Sequence, residues 1–293
     1  MKILVTGATG SQAKPLVFQL LEKGHEVVAF TRDKEKANDL SDAGTTIFEG
    51  DLLVKEEVKN AMKGIDSLAL HIPFFMLNPS RAAQNIIEAA KEANINYVVW
   101  NTAGMIFSEK TGNPAYDVRL EVQSLLSESG IKHTILQPTV YAENLLGPWT
   151  APMVKKENRV AYPVPANFKI GWLPSSDMAK AMVAALENES LSGSNFIISG
   201  KQTLDGNQLQ QAFSLGLERG IEYYAMPPKD FGEILDSIMG EGAGDAVAAE
   251  YQAIWDGHIQ PKMYAEMNQT LDKLGVEFTD LKDWVKQFNF KYS

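Results

Sequence analysis

The chain has 293 residues, 45% of them hydrophobic, no cysteine, and a formal net charge of −10. That length suffices to bury a large core, in one big domain or two smaller ones. The charge argues against a nucleic-acid partner, the lack of cysteine excludes disulfides, thiolate catalysis and Cys-based metal sites, and no apolar run approaches the ~20 residues that cross a bilayer.

Lys2-Ile3-Leu4-Val5 is too short for a signal-peptide core, so a soluble cytoplasmic protein is the expectation. Residues 2–6 are an apolar, β-branched run that reads as a buried strand. A turn of small residues, Gly7 to Ala13, follows at once, and then Leu16, Val17, Leu20 and Leu21 recur at helical spacing up to Gly24. Residues 25–31 are a second strand. Strand, turn, helix and strand make one βαβ unit of about the usual ~30 residues.

Small residues suit a turn that must approach a pyrophosphate. Gly7 and Gly10 put no Cβ in the way, Thr9, Ser11 and Gln12 complete the turn, and the helix N-terminus offers N–H groups to the negative charge. The spacing is Gly-x-x-Gly-x-x-Ala, with Ala13 at the third small position. A tight turn with no ligand is the alternative reading. At the end of the second strand stands Thr31-Arg32, where a chain preferring NAD usually has Asp or Glu. A guanidinium suits a ribose 2′-phosphate, so NADP(H) is expected over NAD(H), with Lys36 as a weaker second candidate. Alternatively Arg32 merely opens a solvated helix over 33–41.

A third strand spans 45–50. Two readings stand for the Asp51-Leu52 that follows: a contact to an adenine ring, or the turn into a helix at 54–63. Residues 65–73 are a fourth strand ended by Pro73. The C-terminal strand ends of an open parallel sheet carry the site, so His71, Ile72, Pro73 and the loop from Phe74 are placed to flank a cofactor. Phe74 and Phe75 could equally cover the core, and His71 reads more naturally as a hydrogen-bonded core histidine than as a proton shuttle. A helix at 79–93, a strand at 97–101 ending in Thr102-Ala103-Gly104, a helix over 116–127 and a strand at 133–137 complete the alternation. This pattern implies an α/β fold, a doubly wound parallel sheet with right-handed crossovers, over residues 1–147.

From 148 the rhythm changes to an aromatic, proline-rich section, with Trp149, Tyr162, Trp172 and later Phe231 as candidate residues of a substrate cleft. Ser175 or Ser176 is placed to cap a helix at 177–187, and 196–198 is a short strand. Helices are expected at 205–219, 229–238, 245–256, 261–274 and 280–288, with Gly240–Gly244 as a lid hinge or a plain loop. Residues 148–293 therefore form a smaller, mainly helical lobe, from which about 173–200 returns to the first domain.

Several stretches resemble the NmrA-like branch of atypical short-chain dehydrogenase/reductases: Val5-Thr6-Gly7-Ala8-Thr9-Gly10, Thr31-Arg32, Gly50-Asp51-Leu52, and Thr134-Ile135-Leu136-Gln137-Pro138 running into Tyr141-Ala142-Glu143-Asn144. Ser176-Asp177-Met178-Ala179 and Leu281-Lys282-Asp283-Trp284 are also similar, and Gln137 stands where relatives usually have arginine. The resemblance implies NADP(H) in a Rossmann crevice, with Pro138, Tyr141 and Asn144 near the nicotinamide. It also implies either a reductase of quinones or dyes, or a non-catalytic NADP-binding redox sensor.

Typical short-chain dehydrogenases set a lysine four residues after a catalytic tyrosine. Here Tyr116 is followed by Leu120 at that distance, so the pair is broken. Arg119 shares Tyr116's face but is a poor proton relay, and Thr102 is placed to stand in for the usual serine. Tyr116 could equally be a structural residue of the helix start. Without a strong proton donor, hydride transfer to a quinone-like or conjugated small-molecule acceptor is favoured over carbonyl reduction. Sugar-nucleotide epimerisation, which leans on the missing pair, is disfavoured. No His, Asp and Glu cluster has metal spacing, and a monomer or homodimer is expected.

Overall fold

The computed structural model describes residues 1–73 and 76–292, without the side chains of Pro114 and Ala115. In chain order the first half gives β1 (Lys2–Thr6), α1 (Lys14–Glu22), β2 (Glu26–Thr31), α2 (Asn38–Asp42), β3 (Thr46–Glu49) and α3 (Lys55–Ala61). It continues with β4 (Ser67–His71), α4 (Pro79–Glu92), β5 (Tyr97–Asn101), α5 (Pro114–Ser129) and β6 (His133–Pro138). The strand Asn195–Ile198 adds to the far edge, and the seven strands pair in parallel in the order β3-β2-β1-β4-β5-β6 and then 195–198. The order reverses direction between β1 and β4, and an open α/β sheet leaves a crevice at that point.

The sheet is buried on both faces, as continuous apolar strands require. Leu4, Leu68, Leu70 and Trp100 meet Val58, Ile86, Val122 and Leu126 from α3, α4 and α5. On the opposite side α1 packs against the helix Ser175–Leu186, and Gln19 Nε2 donates to the Ser176 carbonyl at 2.9 Å. Ser175 and Ser176 lie inside that helix and not before it, as a cap would.

The chain divides into two compact units. The first is Met1–Pro138, Ser175–Ile198 and Asn268–Glu277; the second is Thr139–Pro174, Ser199–Met267 and Phe278–Ser293. Residues 139–147, assigned above to the first domain, thus belong to the second unit. Helices there span Gly206–Leu217, Pro228–Met239, Asp245–Trp255 and Leu281–Gln287. It also holds strands that short length and irregular sequence concealed. Val140–Tyr141, Ile170–Leu173 and Thr203–Leu204 form one small sheet, and Arg159–Tyr162 pairs in parallel with Glu222–Ala225. Its core is built on Trp172, Phe213, Trp284 and Tyr292. Gly240–Gly244 joins two helices that touch closely: an ideal Cβ on Gly232 would come within 2.9 Å of the Ala248 methyl, and the Gly244 N–H is held by Asp236 Oδ1 at 2.7 Å.

Two expected helices differ from their patterns. The helix expected at 33–41 starts as a tight turn, Glu35–Ala37, which runs directly into α2; Asp33 Oδ1 accepts from the Glu35 N–H at 3.1 Å at its start. The helix expected at 261–274 begins only at Asn268. Upstream, Met263 bridges Ile170, and its carbonyl accepts the Gly171 N–H at 2.9 Å, which holds that stretch extended.

Candidate functional site

The turn after β1 is built for close approach. Gly7 has φ +63°, a left-handed conformation that side-chain-bearing residues rarely adopt, and its carbonyl accepts the Gly10 N–H at 2.9 Å. Thr9 Oγ1 lies 3.4 Å from Thr31 Oγ1, which ties the turn to the end of β2. The nine-residue α1 starts without a side-chain cap and with no acidic residue in its first turn, so no side chain of the helix start itself opposes the N-terminal dipole.

Hollows open on either side of this turn, sharing Gly7, Gly10 and Pro73. One, of about 210 Å³, is lined by Thr9, Phe30, Arg32, Lys36 and Leu52 among others. Leu52 therefore faces it, and the Asp51 side chain accepts the Leu53 N–H at 2.9 Å, a local turn at the end of β3. Lys36 is paired with Asp33 at 3.2 Å, while no ion pair of Arg32 occurs among the described residues. The other hollow, of about 260 Å³, is lined by Ser11, Gln12, His71, Ile72, Ala103 and Arg119 as well as the shared residues.

His71 is 6% exposed, and its Nε2 has no hydrogen-bond partner among the described residues. Only its backbone is bonded, through Thr6 Oγ1. The ring is thus not the satisfied core histidine expected. Burial pushes its pKa down to about 3, which keeps the imidazole neutral. An unfolded chain takes up this proton below about 6.5, the folded one only near 3, so the contribution to stability is complete above 6.5 and lost as pH falls through that window. Unfolding free energy measured by urea titration should accordingly fall with acid, by at most ~1.4 kcal/mol per pH unit from this group, and His71→Gln should remove that component.

Past β5, Ala103 also has a left-handed backbone, φ +53°, and its N–H donates to Asn101 Oδ1 at 2.9 Å. Thr102 is fully buried, with Oγ1 within 2.5 Å of the Gly104 carbonyl and 3.2 Å of the Leu136 carbonyl. It braces this turn and lines neither hollow. Arg119, 8% exposed, donates from Nε to the Thr102 carbonyl at 2.9 Å. Its guanidinium lies 5.8 Å from the centre of the Tyr116 ring, so the two share a face as their spacing suggests. Burial lowers the arginine's pKa, yet a guanidinium remains charged in proteins. Tyr116 packs edge-on against Phe107 at 5.4 Å and lines neither hollow. Gly104 was not singled out from the sequence. It leaves room for Arg119, whose Nη2 would lie 2.9 Å from any Cβ there.

The remaining candidates among the described residues line neither hollow. Pro138 ends β6 opposite Ile198. In the second unit, Tyr141 pairs with Leu173, and Asn144 hydrogen-bonds Tyr162, whose hydroxyl is 2.9 Å from that of Tyr251. Burial raises the Tyr162 pKa. Trp149, Tyr162, Trp172 and Phe231 are brought into one aromatic cluster, with Tyr162 to Trp172 at 4.8 Å and Trp149 to Phe231 at 5.1 Å. Tyr162, Trp172 and Phe231 are all buried, so within this unit they are core more than open lining. Tyr251, missed in the sequence, sits among them. Phe74 lies outside the described residues. No cluster of His, Asp and Glu able to hold a metal occurs among the described residues.

An uncapped helix start, a glycine turn that a side chain would fill, an unpartnered buried nitrogen and a cation at the end of β2 together fit the phosphates and polar edges of a dinucleotide. The chain is 27% identical to the NAD(P)H azoreductase of Xenophilus azovorans, over 85% of this chain and 86% of that one. It is 25% identical to the photosystem II assembly factor Ycf39 of Synechocystis sp., over 72% of this chain but only 66% of that longer relative. Its fold matches the crystal structure of the NADPH-dependent quinone oxidoreductase of Escherichia coli in complex with NADPH, with a TM-score of 0.80, 21% identity, and 98% and 99% of the two chains covered. The model of the NmrA-like family matches residues 1–285, and the chain belongs to that family.

Proposed function

We propose that the protein is an NADPH-dependent reductase that passes hydride directly to a quinone-like or conjugated small-molecule acceptor. One observation carries this reading. The hollow lined by His71 and Arg119 offers a buried positive charge and, among the described residues that line it, no group that titrates as an acid near neutral pH. When bound, NADPH would supply a hydride, two electrons and one proton. A quinone that accepts it becomes a hydroquinone monoanion and completes the reduction with one proton from water, whereas a simple ketone would need a proton donor in the transition state. Residues Gly7 to Gln12 would hold the pyrophosphate, Arg32 the 2′-phosphate, and Leu52 the adenine. His71 and Arg119 would give hydrogen bonds and positive charge beside the transferring end. The azoreductase and quinone reductase relatives are consistent with such acceptors.

Oxidation of NADPH by the purified protein, with a panel of small quinones and NADH run alongside, tests this. Turnover that favours NADPH is expected. Tight NADPH binding without turnover would overturn the reductase reading in favour of a dinucleotide-binding regulator. A relative named as an assembly factor, together with the committed, non-relaying Arg119, supports that second reading. The missing lysine at position 120 disfavours epimerase chemistry under either.

A further inference from the structure

The second unit carries a groove of about 640 Å³ that the dinucleotide reading does not use. Its walls are the stretches 165–169 and 260–264, and its floor is the end of the helix Asp245–Trp255. The walls are tied together by the Ile170–Met263 bridge. Trp255 donates from Nε1 to the Pro163 carbonyl at 3.0 Å, which fixes the indole while leaving the residue 36% exposed. Phe168 and Tyr264, both half-buried, add two more aromatic rings.

The charge of this lining runs against that of the chain. Acidic residues outnumber basic ones 37 to 27 overall, yet the charged residues lining the groove are Lys169 and Lys262, with no Asp or Glu among them. Neither lysine pairs with a carboxylate among the described residues, and Lys262 Nζ lies 5.2 Å from the Tyr264 ring centre. A pinned indole rewards a flat ring, and two ammonium groups without a carboxylate partner reward an anion. An exposed lysine alone holds an anion weakly, and a small aromatic face alone selects little, so the pair selects ligands that have both features.

We propose that this groove binds a planar aromatic anion, an aryl carboxylate or aryl sulfonate, with its ring on Trp255 and its charge shared between Lys169 and Lys262. The site is independent of the reductase reading: every residue it uses lies in the second unit, and none lines the glycine-turn hollows.

Isothermal titration of the full chain with naphthalene-2-sulfonate, in the presence of saturating NADPH, tests the proposal. Saturable one-to-one binding is expected, about tenfold weaker in the K169Q/K262Q double variant and in Trp255→Ala, and weaker again for uncharged 2-naphthol. Affinity for NADPH should be unchanged in the lysine variant, which also reports that it is folded. Absence of saturable binding, equal affinity for 2-naphthol, or indifference to the lysine substitutions would overturn it.

Discussion

Arg32→Asp should reverse the choice of dinucleotide, with the ratio of NADPH to NADH affinity falling by about 10²-fold or more. Arg32 stands at the end of β2, lines the hollow that also holds Leu52, and has no ion pair among the described residues, so its guanidinium is available to a 2′-phosphate. A hydrogen bond to a charged group contributes ~1.5–3 kcal/mol, one to two decades in affinity. Aspartate removes that contact and repels the phosphate, while it can accept from the ribose hydroxyl of NADH. Fluorescence titration with both dinucleotides reads the reversal. Lys36→Ala should have a smaller effect, because Lys36 is already paired with Asp33. An unchanged ratio in Arg32→Asp would sink the assignment to the 2′-phosphate.

Gly7→Val should abolish dinucleotide binding, weakening NADPH by about 10²-fold or more, and lower the melting temperature as well. The position has φ +63°, where a side chain costs roughly 1–2 kcal/mol and a β-branched one more. A Cβ there already lies 3.5 Å from the His71 Cβ, so the valine methyls would crowd His71 and project into the space shared by the two hollows. Circular dichroism separates the two effects: the folded signal should persist at low temperature while titration with NADPH shows no saturation. Retained affinity would mean that the turn does not approach the pyrophosphate.

The parts of this molecule that could be read from sequence are those in which local pattern and tertiary role agree. The apolar run 2–6, the turn Gly7–Ala13 and the helical spacing of Leu16, Val17 and Leu20 fix a βαβ unit without help from the rest of the chain. Sites formed by distant residues were less legible. Arg119 was marked by its spacing from Tyr116, but that it is held by the Thr102 carbonyl and accommodated by Gly104 depends on the turn after β5. Thr102 looked like a hydroxyl at a strand end, and only the positions of the Gly104 and Leu136 carbonyls reveal it to be a brace. In the second unit, strands of two to four residues gave no periodicity to detect. Met263, in a stretch that reads as helix, is held extended by a partner more than ninety residues earlier, Ile170.

The interleaving of the two units bears on how the chain must be made. Synthesis delivers β6 while its neighbour at 195–198 is still some sixty residues away, and the intervening stretch Thr139–Pro174 belongs to the other unit. During that interval the parallel sheet has an open edge at β6, and the face of α1 that receives the helix Ser175–Leu186 is bare. The second unit waits longer still, since its core joins Leu145 and Tyr162 to Trp284 and Tyr292. Neither unit can close as a ribosome-bound intermediate in the order it is translated. Truncation at position 138 should therefore yield an aggregating fragment, with the β6 edge unpaired, rather than a free-standing nucleotide-binding domain.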